Sequence, residues 1–427
     1  MYPPAHLEAL RPDAARIGDD LVELSKITEG ASPGWTRRVF SDAYRASREW
    51  VRDRMIAAGL EARIDPTGNV VGRLPGRDPS LPALMTGSHS DTVHGGGRFD
   101  GMVGVLGAIE AARRLRESGT ILERDLVIVD FLGEEANGFG ISCLGSRGIT
   151  GLLTSEHLDR TDESGLKLGD AMTRFGLDTD KVLRQSWGPG SLHGYVELHI
   201  EQGPVLENAG KSIGVVTAIA GIDRLFATFK GRADHAGTMP MAGRHDALVA
   251  AAEAIITIER EACGAPIHGV STTGRIESSP GAFNIVPDEA RIWAEMRSVD
   301  ADWLHGARRR LAEDIAAAAA QRGVDTLVEW LSDQEPVAAD DAVQDHIARA
   351  ADSLGLEWEA VPSGAGHDAA HMARLAPMGM IFIPSLAGRS HVPEEFTDLE
   401  DIARGAHVLV STLVGMDTAG RADTSRL

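Results

Sequence analysis

Apolar and polar positions follow two different rhythms along this chain. Over 41–59 they predict an amphipathic helix, with Ser41 as its cap and Tyr44, Trp50, Val51 and Met55 near one face. Residues 69–74 predict a short strand that runs into a Pro/Gly turn, and 84–87 the end of a buried strand. A helix of small residues follows over about 101–117. Residues 125–132 are nearly continuous in apolar character, as expected of a strand covered on both faces. Strand, helix and strand in that succession predict an α/β domain with a largely parallel sheet.

The rhythm changes between about 212 and 331. A strand-like run over 213–229 precedes a helix at 246–261. Strands are predicted near 269–277 and 289–297; in the second, Ala290, Ile292, Ala294 and Met296 alternate with Arg291, Trp293, Glu295 and Arg297. A long Ala/Arg helix over 302–321 and a strand over 326–331 complete the order β-α-β-β-α-β, a ferredoxin-like, split βαβ unit. Such a unit can be inserted into another domain. The expected organisation is therefore a discontinuous domain of residues 1–212 plus 332–427, interrupted by a domain of residues 213–331. Helix–strand alternation resumes after Asp340, with a buried strand at 378–383, a last helix at 399–413, and a polar tail after Gly415 expected to fray.

Composition narrows the function. Lys and Arg number 42 against 63 Asp and Glu, a net charge of −21, which argues against a nucleic-acid or anionic-membrane surface. The longest uncharged run, 375–388, is broken by Pro377 and Pro384, so no transmembrane helix is expected. The start, Met1-Tyr2-Pro3-Pro4, lacks the basic and apolar regions of a signal peptide. Two cysteines, Cys143 and Cys263, make neither a disulfide framework nor a Cys-rich zinc site. A cytoplasmic enzyme, with no nucleic acid and no membrane among its partners, is the expectation.

Four stretches carry candidate chemistry. In Gly87-Ser88-His89-Ser90-Asp91 and the glycine-rich run to Asp100-Gly101, a buried strand ends in His89, Asp91 and Asp100. Ligand sites are expected at such strand ends. His89 suits a metal, Asp91 can orient its imidazole, and Asp100 can bridge two cations. Just past the strand at 125–132, Glu134 and Glu135 can divide the work, one ligating and the other taking a proton from water. Glu197, His199 and Glu201 share a strand face, with Gln202 as a candidate substrate donor, and His391 follows the buried strand at 378–383. Singly, each has a plainer reading: a capped loop, a solvated acidic turn, a core histidine. Together His89, Asp100, Glu134, Glu135, His199 and His391 suit a two-metal hydrolytic site. Nitrogen and carboxylate ligands without cysteine favour Zn²⁺ or Mn²⁺.

Gly87-Ser88-His89-x-Asp91-Thr92-Val93 with Gly96-Gly97-Arg98-Phe99-Asp100-Gly101, Glu134-Glu135, Gly145-Ser146-Arg147, His199-Ile200-Glu201-Gln202-Gly203, Asp234-His235-Ala236-Gly237-Thr238-x-Pro240-Met241 and Gly364-Ala365-Gly366-His367-Asp368 resemble the M20 family of co-catalytic metallopeptidases. More closely they are similar to its hydantoinase/carbamoylase branch, from about residue 20 to 415. The resemblance implies a zinc-exopeptidase-like mixed-sheet catalytic domain, with the inserted unit as lid and dimerisation domain.

It also implies roles. His89, Asp100 and His199 would hold one divalent ion; Asp100 would bridge to a second, held by Glu135 and His391. Zn²⁺ or Mn²⁺ is expected, with Co²⁺ or Ni²⁺ as further options. Glu134 would be the general base. His235 would act across a homodimer interface on the tetrahedral oxyanion. Asn284 and Arg297 would grip a substrate carboxylate, which Arg's planar fork suits, and Gln202, Gly366 and His367 would line a ureido pocket. From the residues alone, Arg297 reads equally as a surface charge, Asn284 as a turn residue and His235 as a loop cap. The implied activity is cleavage of the linear C–N amide bond of an N-carbamoyl acid, an N-carbamoyl-L-amino acid first among them. Allantoate amidohydrolase and β-ureidopropionase are the alternatives, followed by an aminoacylase or dipeptidase of the same fold and a non-catalytic homologue. Met239 stands where threonine is frequent, Gly243 where a bulkier residue often sits, and the loop at His94-Gly95 carries an extra glycine. None is an expected ligand, so these departures bear on pocket shape.

Overall fold

The computed structural model describes residues 8–184, 187–266 and 268–418. The start at Met1-Tyr2-Pro3-Pro4 and the tail beyond Thr418 lie outside the described residues. The chain forms two compact units: one comprises the chain up to Thr217 with Ala339–Val361 and everything from His367; the other is Ala218–Ala338 with Pro362–Gly366.

The first unit is built on a mixed sheet. Its strands include β1 (Glu61–Ile64), β2 (Val70–Leu74), β3 (Ala83–His89), β4 (Leu126–Phe131), β5 (Leu192–Ile200) and β6 (Ile213–Ile219). In spatial order β1-β2-β4-β3-β5 run on to a late strand, Met378–Ile383, and then to β6. β4, β3, β5 and the late strand are neighbours and mutually parallel. All six residues of β4, and all six of Met378–Ile383, are buried. Their unbroken apolar character is thus explained by cover on both faces, each large side chain contributing about 1.5–3 kcal/mol before the entropy of ordering it.

On one face, helices Ala14–Ser25, Met102–Glu117, Asp341–Ser353 and Leu399–Thr418 share a core with Leu84, Ile128, Leu198 and Ile381. The first of these helices is capped by Asp13, whose carboxylate accepts from Arg16 N, and buries Ile17, Leu21 and Leu24 one turn apart. A separate cluster of Tyr44, Leu132, Phe139, Leu144, Leu168 and Met172 packs elsewhere in the unit. Helix Asp42–Ala57 starts at Ser41 as expected, whose hydroxyl accepts from Tyr44 N. The last helix continues to Thr418, beyond the expected end at 413, because Val414, Met416 and Asp417 are still buried.

The second unit contains β7 (Gly221–Lys230), β8 (Val270–Ser279), β9 (Glu289–Ser298) and β10 (Asp325–Gln334), in the order β10-β7-β9-β8 with every pairing antiparallel. Helices Ala247–Cys263 and Ala301–Gln321 pack on the sheet through Ala250, Ala254, Leu304, Leu311 and Ile315. The alternation read in β9 holds: Ala290, Ile292, Ala294 and Met296 are buried, while Arg291 is exposed and Arg297 half-buried. The run over 213–229 is two strands, not one. β6 belongs to the larger sheet and β7 to the smaller, with the break at Ala220. Among the described residues no helix is long and apolar enough to cross a membrane.

Candidate active site

The parallel order β4-β3-β5 and Met378–Ile383 brings four carboxyl-terminal strand ends side by side. His89 ends β3, His199 lies one residue before the end of β5, Glu134 and Glu135 follow β4, and His391 follows the late strand. Asp100 comes from the loop after β3 and stands among the histidines. Its Oδ1 is 3.6 Å from His89 Nε2 and 3.2 Å from His199 Nε2, while its Oδ2 is 3.2 Å from His391 Nε2. His391 Nε2 is also 3.5 Å from Glu135 Oε1. The donor atoms of His89, Asp100 and His199 lie within 4.8 Å of one another, as do those of Asp100, Glu135 and His391. The structure therefore gathers two sets that share one carboxylate.

Hydrogen bonds fix how the rings face. His199 Nδ1 donates to Ile200 O at 2.9 Å, and His89 Nδ1 to Asp91 O at 3.1 Å. In this arrangement each Nε2 keeps its lone pair for a ligand. His199 Nε2 is buried and has no hydrogen-bond partner. Asp91 was expected to orient His89, and it does so chiefly through its backbone carbonyl. Its carboxylate, 3.6 Å from the ring, instead accepts the N–H groups of Glu134 and Glu135, each at 3.1 Å. The end of β4 is braced from behind: Tyr44 OH donates to Phe131 O at 3.2 Å and accepts from Gly133 N at 3.0 Å. Gly101 has φ near 70°, and a side chain there would strike the His89 ring.

Burial and charge shape the titration. Burial alone would raise the Asp100 pKa, but the imidazoles of His199, His391 and His89 hold it well below the usual carboxylate range. Burial, joined by the charge of Asp100, pushes Glu135 up to about 7. Glu134 is driven well above the ordinary value by burial, with Glu135 adding to it. Burial opposes protonation of His391, yet Asp100 and Glu135 lift it to about 9. The carboxylates thus demand positive charge at the imidazole nitrogens. Divalent cations at that place meet the same demand and release the protons, so the donor set fits a metal centre. His391 is half-exposed whereas the other members are buried, so the site opens on its side.

The model of peptidase family M20/M25/M40 matches residues 79–414, which takes in every one of these groups. The chain belongs to peptidase family M20. Enzymes of this family are metal-dependent. An N-carbamoyl-L-amino-acid amidohydrolase of Paenarthrobacter aurescens is 38% identical over 408 residues, covering 95% of this chain and 99% of its own length. A ureidoglycolate hydrolase of Arabidopsis thaliana is 39% identical over 413 residues, covering 95% of this chain and 87% of its own. The crystal structure of an amidase of the hydantoinase/carbamoylase family from Burkholderia multivorans has a TM-score of 0.86 at 33% identity, covering 95% of this chain and 98% of that one. This M20 protein therefore stands in the hydantoinase/carbamoylase branch.

The remaining expected residues fall in different places. Gln202 has φ near 58°, and its Nε2 donates to Asp100 Oδ2 at 2.8 Å. Its Oε1 is buried without a partner, so the side chain offers an acceptor where a donor was expected. His367 is buried, its ring edge-on to His199 with centroids 4.6 Å apart. It therefore packs on a candidate ligand, and with Glu197 and His199 it forms a third close group. The other candidates belong to the second unit. His235 is exposed, its Nδ1 accepting from Gly237 N at 3.1 Å, and it forms a bridge with Ile285 that sets it beside exposed Asn284. Arg297 Nε donates to Glu295 Oε1 at 2.7 Å and its NH1 to Gly364 O at 3.2 Å. Gly366 lies near Ile222 and Gln334.

Three contacts were not anticipated. Cys143 is buried, and its Sγ lies 3.6 Å from Glu134 Oε1. Ser390 Oγ lies 3.0 Å from Asp100 Oδ2, and Glu395 accepts from the backbone N–H of Asp100 at 3.0 Å. Ser390 and Glu395 flank His391 in the sequence, which was the available signal.

Proposed function

We propose that this protein is a metal-dependent amidohydrolase that hydrolyses the linear C–N bond of an N-carbamoyl (ureido) acid, an N-carbamoyl-L-amino acid first among them. The products are the amino acid, CO₂ and ammonia. The observation that carries this reading is the pair of ligand sets sharing Asp100, with Glu134 Oε2 3.7 Å from His89 Nε2, in a chain of the carbamoylase branch. His89, Asp100 and His199 hold one divalent ion, and Asp100, Glu135 and His391 a second, with Zn²⁺ or Mn²⁺ suiting these ligands. When bound, such ions activate water and polarise the scissile carbonyl.

Glu134 takes the proton of the attacking water on its carboxylate and delivers it to the leaving nitrogen. Burial raises that carboxylate's affinity for a proton. Gln202 accepts an N–H of the carbamoyl group on its unpartnered Oε1 while its Nε2 keeps Asp100 in place. The ferredoxin-like second unit serves as lid and dimerisation domain, and the first unit as the metal-binding domain. Asn284 and Arg297 grip the substrate carboxylate, Gly366 and His367 shape the ureido pocket, and His235 of one copy stabilises the oxyanion in the other. The exposed edge strand β8, with Val270 and Ile276, beside exposed Val249 and Ile256 on the neighbouring helix, supports pairing through this unit.

Product release by chelator-stripped protein reloaded with Mn²⁺ or Zn²⁺ tests the reading, read as ammonia for the ureido acids and as free amino acid for a dipeptide. The substrates are N-carbamoyl-L-amino acids, allantoate, β-ureidopropionate, ureidoglycolate and a dipeptide. Turnover of a ureido acid is expected. Turnover of the dipeptide alone would overturn the substrate class. The Arabidopsis relative favours ureidoglycolate as the second reading.

A further inference from the structure

One buried carboxylate outside the expected ligands reaches both halves of the site. Glu395 is 3% exposed. Its Oε1 accepts the backbone N–H of Phe99 at 2.9 Å and of Asp100 at 3.0 Å. Its Oε2 accepts the Ser390 hydroxyl at 2.8 Å and the backbone N–H of His391 at 3.4 Å. One side chain thus ties the loop carrying the shared carboxylate to the loop carrying the last histidine. Asp100 and Glu395 are 295 positions apart in the chain.

The surroundings are cut to admit it. A Cβ on Gly97 would collide with the Glu395 carboxylate, which accounts for a glycine at that point of the loop. His391 has φ near 60°, a left-handed conformation that is costly for a non-glycine residue. The turn therefore needs holding, and the bond from His391 N to Glu395 holds it. Ser390 lies within hydrogen-bond distance of both carboxylates, 2.8 Å from Glu395 Oε2 and 3.0 Å from Asp100 Oδ2, with one proton to give. Glu395 offers that proton a place when Asp100 Oδ2 is engaged by a cation.

We propose that Glu395 is a positioning residue for metal binding, joining the Asp100 and His391 loops so that the shared carboxylate and the last histidine stand ready at coordination spacing. This rests on the reading of those residues as ligands. The test is titration of the metal-free full-length protein with Zn²⁺ against a competing chelator, for the parent, Glu395→Gln and Gly97→Ala. Partners of this kind are typically worth about 10–100-fold in metal affinity. The expected result is that loss for one of two ions in both variants, larger than any fall in the melting temperature of the metal-free protein accounts for, with activity recovered in excess metal. Parent-like affinity for both ions, or a lower melting temperature with unchanged affinities, overturns the proposal. If Glu395→Gln does not fold, Gly97→Ala, which keeps the carboxylate but displaces it, decides by the same titration. A parent that binds no metal refutes the underlying site reading, whereas a parent that binds two and variants that match it refute this proposal alone.

Discussion

The two compact units carry their candidate chemistry in opposite ways. In the first, ligand-type side chains are mostly buried, converge within a few ångströms, and are held by bonds from backbone and neighbouring side chains. In the second, His235 and Asn284 are exposed, and Arg297 is engaged by Glu295 on its own strand. The first unit's core packs against parallel strands that are buried on both faces. The second unit has a single layer of helices and an exposed edge strand. The contrast teaches that one unit prefabricates a cluster of metal-ligand-type side chains, where burial and shared charge fix the geometry, while the candidate residues of the other lie at or near its surface.

The largest expected effect tests the first half of that contrast. Glu134→Gln should lower kcat by about 10²–10⁴-fold, the usual worth of a general acid–base group, with metal content by elemental analysis unchanged. Loss of metal in step with activity would make Glu134 a ligand instead. His235→Ala should cost about 10²–10³-fold in kcat, as for an oxyanion donor, again without metal loss. Near-parent steady-state rates would leave the second unit without a catalytic part.

A smaller effect separates the units by acid. His371 of the first unit is buried, its Nε2 has no partner, and burial together with Arg147 and Arg374 lowers its pKa to about 3. An unfolded histidine binds a proton near pH 6.5 that this one refuses. Stability should therefore be unaffected above pH 6.5 and fall by about 1.4 kcal/mol per pH unit from there towards pH 3. Denaturant unfolding of the parent and His371→Leu across pH 4–7 checks this; an equal acid slope in both would remove His371 from the account.

Much of this was legible in the sequence for a physical reason. His89, Glu134, Glu135 and His391 lie at or just past buried strands, whose apolar runs announce themselves, and parallel pairing then collects their ends. The β-α-β-β-α-β order of the second unit was readable because one sheet face is covered and the alternation survives. What was not legible depends on partners distant in the chain. Glu395 carries no local signal of its partners because the amides it accepts are almost three hundred positions earlier. Gln202 was read as a donor because nothing local shows that its nitrogen is already spent on Asp100. The break at Ala220 was hidden because both strands around it are apolar enough to read as one.

The most direct test of the central claim is anomalous diffraction at the zinc edge from crystals of the reloaded protein. The account predicts two peaks about 3.5–4 Å apart, the separation typical of two-metal sites. One should lie among His89, Asp100 and His199, the other among Asp100, Glu135 and His391. A single peak, or peaks that do not share Asp100, would contradict it.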